Sequence, residues 1–210
     1  PRRRGARLSG RALSLGSTPP AAHLTDLDTG EVRAASCLMN PQIRFGEDLM
    51  SRVSYVMMNP GGEAELTAVV RTALSDLAKA LATEAGIDPT LIVEATIVCN
   101  PVMHHLLLGI DPTELGQAPF ALAVSEALSL PASDLDLGTI NSRARVYLLP
   151  CIAGHVGADA AAVSLATAPD LSDELMLAGS YTPLTLPTKR EVAHPGGDGH
   201  LTNQNRQTKA

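Results

Sequence analysis

Asn100-Pro-Val-Met-His-His-Leu-Leu-Leu-Gly-Ile-Asp-Pro-Thr-Glu-Leu-Gly-Gln-Ala-Pro-Phe120 is the run whose reading decides the fold. Asn100 is placed to cap a helix, because its short side chain can accept from a free backbone N–H in the first turn. Pro101 suits the first helical position, where no N–H is needed, and Gly109 suits the stop, where a left-handed residue is wanted. Asp111 and Pro112 repeat the start signal, and Glu114 is spaced to close a capping box. Leu91 to Cys99, just before the run, is short, apolar and rich in β-branched residues, which predicts a buried strand. Strand, cap and helix in direct succession are the unit of an α/β protein.

The rest of the chain extends that pattern. Residues 12 to 38 predict a β-meander: Ala12–Leu15, a turn at Gly16-Ser17-Thr18, Ala21–Thr25, a turn over Asp28–Glu31 with Gly30 left-handed, and Val32–Leu38. Pro19-Pro20 removes two ladder donors where the second strand begins. Residues 40 to 55 start as a loop and become a short helix. Leu66, Val69, Val70, Ala73, Leu74, Leu77 and Leu81 recur at helical spacing, and Gly86 ends a helix over 63–85. A further helix is expected over Phe120–Leu130 and a strand over Arg145–Leu149. Pro150–Asp159 is a loop entering an Ala-rich helix to about Ala168. Pro, Gly, Thr and Asn gather after Leu177, so residues 178–210 read as loop or a disordered tail.

Composition sets bounds. The 210 residues are 45% hydrophobic, enough for one good-sized core or two small ones. Aromatics make up only 2%, with no Trp, so aliphatic residues must build the core. Net charge is −6, but Arg2, Arg3, Arg4, Arg7 and Arg11 fall in a start without acids, leaving −6 − 5 = −11 on the remainder. An acidic body argues against nucleic-acid binding, and the basic start reads as a disordered arm over residues 1–11. Cys37, Cys99 and Cys151 form no CxxC pair, so no metal site is spelled out and reduced thiols of a cytoplasmic protein are expected. No apolar stretch reaches about eighteen residues, the length of a membrane span.

Two junctions could carry chemistry. Ser14-Leu-Gly16-Ser17-Thr18 is either a phosphate cradle built from backbone N–H groups or a plain turn of small residues. Gly154-His-Val-Gly157-Ala-Asp159 follows a strand and opens a helix, which offers free N–H groups to an anion. Asp159 either holds a magnesium-bound water or caps its helix. His155 sits in this loop, four residues from Cys151, without a nucleophile motif. His104 and His105 point about 100° apart on a helix, which suits one packed and one surface histidine better than a shared metal. Arg44, Asp48 and Arg52 read as an ion-pair network.

Four stretches carry a resemblance: Gly16-Ser-Thr with Asp26–Glu31, Asn40–Arg52, Asn100–Phe120 and Leu149–Asp159. On these the chain resembles the reductive activators of corrinoid enzymes, ferredoxin-linked proteins with an actin-like ATPase domain. The resemblance implies a partial actin-like (ASKHA, ribonuclease H-like) α/β fold, with a mixed sheet and flanking helices. It implies the family's middle region over 12–145, the start of its C-terminal ASKHA domain over 146–177, and a non-family tail. Members use ATP and Mg to drive a low-potential electron from an N-terminal [2Fe–2S] ferredoxin domain onto a corrinoid cobalt, restoring the methyl-accepting Co(I). On this chain, Gly16, Ser17, Thr18 and Gly157 would contact the cofactor phosphates, and Asp159 would take a catalytic role in the cleft. The ferredoxin cysteines are absent. The implied partner is a corrinoid protein or its methyltransferase, and a homodimer is a further expectation. The chain departs from the family at Ser14, where members place an Asp, at Pro19-Pro20, and after Leu177. These departures fit a fragment inactive on its own. Alternatives are a non-catalytic module that docks a corrinoid protein, or an inactive truncated product.

Overall fold

A computed structural model describes the backbone of residues 9–15 and residues 20–167 with their side chains. Of the basic arm expected over residues 1–11, residues 1–8 lie outside the described residues, as do the turn Gly16-Ser17-Thr18 and the tail 178–210, whereas Ser9, Gly10 and Arg11 belong to a strand. By internal contacts the chain divides into residues 1–161 and 162–210, and all that follows on the site concerns the first unit.

Among the described residues six strands form one mixed sheet: β1 (Ser9–Leu15), β2 (Ala21–Asp26), β3 (Val32–Cys37), β4 (Ile92–Cys99), β5 (Leu128–Pro131) and β6 (Arg145–Leu148). Their order across the sheet is β3-β2-β1-β4-β6-β5. The β1–β2–β3 meander and the β5–β6 pair are antiparallel, whereas β4 runs parallel to both β1 and β6. The expected meander therefore forms, and β4 joins on its β1 side. The β2–β3 turn is tied by the buried Asp26 carboxylate, whose Oδ1 accepts from the N–H groups of Asp28 (3.0 Å) and Thr29 (3.2 Å). Gly30 takes φ +75°, which a side chain would disfavour.

The helices are α1 (Leu49–Met58), α2 (Gly62–Ala85), α3 (Pro101–Leu108) and α4 (Ala158–Thr167). The periodic run becomes α2, packed on β2, β3 and α3. Its Leu66, Val70, Leu74, Leu77 and Leu81 are buried, and Gly86 ends it at φ +66°. They meet Ala22, Leu24, Ile97, Val146 and Leu148 in one aliphatic core. The strands alternate: in β6, Val146 and Leu148 are buried while Arg145 and Tyr147 are exposed. A sheet with one covered face and one wetter face gives this period of two.

The helix expected over Phe120–Leu130 does not form. Phe120 is left-handed at φ +58°, and Leu128–Pro131 is β5. The segment's backbone groups are taken by distant partners instead: Ala123 N–H donates to His105 Nε2 at 3.0 Å, and Ser125 C=O accepts from Cys151 N–H at 2.9 Å. Tertiary bonds here outweigh a modest local preference. The second start signal is also smaller than expected. Asp111 Oδ1 accepts from Thr113 N–H (2.8 Å) and Thr113 Oγ1–H (2.6 Å), which sets a single 3-10 turn over Thr113–Gly116.

Candidate functional site

The parallel strands β1, β4 and β6 end at one edge of the sheet. Their register pairs Leu15 with Cys99 and Ile97 with Leu148, so their carboxyl ends are level. In α/β sheets ligands gather beyond such ends, where loops turn into helix N-termini. Two described segments leave this edge: the Asn100 cap of α3 after β4, and the loop to α4 after β6.

The α3 junction is tightly made. Asn100 Oδ1 accepts from Met103 N–H at 2.9 Å, and Gly109 is left-handed at φ +77°. At the far end, α2 caps the last carbonyls of α3. Thr67 Oγ1–H donates to Leu106 C=O at 2.7 Å and Arg71 Nε–H to Leu107 C=O at 3.0 Å.

Loop 150–157 is held by close backbone approach. Ile152 and Ala153 both donate to Val156 C=O, closing a narrow turn. A Cβ on Gly154 would strike the Phe120 carbonyl oxygen, and the ring of His155 lies 4.0 Å from that of Phe120. A Cβ on Gly157 would lie 2.5 Å from Asn100 Cα, 2.6 Å from Cys99 O and 2.7 Å from Asp159 Oδ1. Gly157 thus brings the start of α4 against the start of α3, and bare backbone is needed for that.

Asp159 is half-buried in the first turn of α4, and its Oδ1 accepts from Ala160 N–H at 2.9 Å. Two buried thiols lie near it. Burial pushes Cys99 well up from its usual range, and Cys151 and Asp159 add to the effect. Burial also raises Cys151; a bond from the Ala158 backbone opposes this and Asp159 reinforces it. Both stay protonated near neutral pH, so neither is a thiolate nucleophile for His155 to assist. Asp159 and Gly157 are thus together at the edge, and the register aims the end of β1 at it too. Among the described residues no group of three or more His, Cys, Asp or Glu side chains could hold a metal ion.

The histidine pair corrects the expectation of one packed and one surface ring, because both are buried. Helix α3 is apolar nearly all round and leaves no wet face for either ring. His105 is fully bonded: Nδ1 lies 2.8 Å from Pro101 C=O and Nε2 accepts from Ala123. Those partners require the tautomer with hydrogen on Nδ1. Neither ring nitrogen of His104 has a hydrogen-bond partner among the described residues. Burial, with the neighbouring His105, lowers its pKa to about 4.

Of the expected network, Asp48 and Arg52 do favour one another's charge, and each of the three residues also has a contact of its own. Arg44 lies over the Phe45 ring at 4.5 Å, and Asp48 caps α1 through Ser51 N–H at 2.7 Å. Arg52 is buried and donates to Gly46 C=O (3.1 Å) and Met103 Sδ (3.2 Å), tying α1 to α3.

Residues 9–171 match the family model described as the RACo middle region. The chain belongs to this family. It is 32% identical over 168 residues to the corrinoid activation enzyme RamQ of Eubacterium limosum, covering 80% of this chain and 28% of that enzyme. A solved reductive activator for corrinoid, iron-sulfur protein superposes with a TM-score of 0.77 at 32% identity, over 83% of this chain and 28% of the other. The chain therefore spans a little over a quarter of the length of these relatives. The mixed sheet with flanking helices is the partial actin-like fold that the four stretches implied. Sequence reading singled out Gly157 and Asp159 as candidates but missed their seat on Cys99-Asn100 and the Phe120–His155 contact. The glycines at 154 and 157 were the available signal, since each marks a close approach whose partner the sequence does not name.

Proposed function

We propose that this chain works within a reductive activator of corrinoid proteins and contributes part of the cleft that binds Mg·ATP. The convergence of β1, β4 and β6 on one edge, with Gly157 seated on Asn100 beside Asp159, carries this reading. The residues present fit the phosphate end of such a cleft. The first turn of α4 offers the positive end of its dipole, although the Ala158 N–H bonds Cys151 and the Ala160 N–H bonds Asp159 Oδ1. Asp159 uses Oδ1 on its own helix, and its Oδ2 accepts no bond from the described residues, so it suits a magnesium-bound water. Gly16, Ser17 and Thr18 would supply phosphate contacts from the loop after β1. The bound nucleotide would supply the free energy for electron delivery; the chain's part is to bind it, orient its phosphates and hold a proton acceptor at Asp159.

The cysteines do not fit a [2Fe–2S] centre. Such a cluster takes four thiolates, whereas Cys37 is exposed and the thiols of Cys99 and Cys151 are buried and held protonated. The electron is accordingly assigned to a ferredoxin domain of the kind that family members carry, and the partner to a corrinoid protein. A cytoplasmic setting fits that chemistry.

One residue favours a second reading. Ser14 stands where the family places an Asp, which weakens metal-water binding and favours a module that docks the corrinoid protein without nucleotide. Calorimetry separates the two. The first reading expects the purified chain to bind Mg·ATP, to lose that binding on Asp159→Ala, and to show no turnover alone. Binding of a Co(II) corrinoid protein without Mg·ATP would support docking only. Binding of neither would overturn both.

A further inference from the structure

We draw no further inference here: the strongest candidate, the exposed methionine stripe of α1 formed by Met50, Met57 and Met58, carries nothing because nothing in the structure shows what covers it.

Discussion

Helices α3 and α4 both start at the same edge of the sheet, yet they are built in opposite ways. In α3 a side chain caps the start, a glycine and two α2 side chains cap the end, and seven of the eight residues are buried. In α4 only Ala158 is buried, Leu165 is 82% exposed, and the entry is fixed by glycine backbone packed on Cys99 and Asn100. The lesson is that α3 is structural ballast, whereas the α4 entry is positioned by backbone packing and backbone hydrogen bonds of its loop. A helix start held that way puts the positive end of its dipole at the sheet edge, with the Ala158 N–H bonded to Cys151 and the Ala160 N–H to Asp159 Oδ1.

That contrast can be broken at several points. The largest effect is expected in the core. Leu106→Ala, at a fully buried position, should cost about 2–5 kcal/mol through lost burial and a cavity. Urea unfolding checks this, and a cost below that range would mean α3 is not the anchor described. Next is Gly157→Ala. Its new Cβ meets backbone atoms that cannot swing aside, so roughly 1–3 kcal/mol should be lost, together with faster amide exchange at the start of α4. Unchanged stability and exchange would show that the seat is dispensable.

The pH dependence of stability tests the burial of His104. Its folded pKa is about 4 against an unfolded value near 6.5. Above pH 6.5 both states are neutral there and the full stability is present. Between pH 6.5 and about 4 the unfolded chain binds a proton that the folded chain refuses, so stability falls as pH falls. One proton limits the slope to about 1.4 kcal/mol per pH unit. His105, also lowered by burial, acts in the same direction. Replacing His104→Leu should flatten the fall between pH 6.5 and 4 in acid-unfolding curves, and an equally steep curve would place that ring in water.

Smaller still, Asn100→Ala should cost about 1 kcal/mol by removing the cap to Met103. The smallest effect belongs to α4. Leu165→Ala should stay within about 0.5 kcal/mol in urea unfolding, the range of exposed positions. A larger loss would mean that α4 is packed as firmly as α3, and the contrast would fail.

Much of the framework was legible in the sequence. The spacing of Leu66, Val70, Leu74, Leu77 and Leu81 marked α2, and Asp28 to Glu31 marked the hairpin. Asn100, Pro101 and Gly109 bounded α3 to the residue. The failures have physical causes. Phe120–Leu130 is apolar and has fair helix propensity, but its N–H and C=O groups bond His105 and Cys151. One ring of the His104-His105 pair was expected to face water because adjacency on a helix says nothing about how many sides of that helix are covered. At the site, Gly157 and Asp159 stood out as residue types in a strand-to-helix loop, while their shared seat did not.

The sequence by itself determined what acts within about four residues: caps, turn glycines, the periodicity of α2 and the alternation of the strands. These depend on side chains meeting their own backbone, so neighbours in the chain suffice. Only the tertiary structure decided that β4 lies between β1 and β6, that Ala123 bonds a histidine 18 residues back, and that Gly157 rests on Asn100. Those choices rest on contacts between distant segments, where close packing and the need to satisfy buried polar groups select the partner.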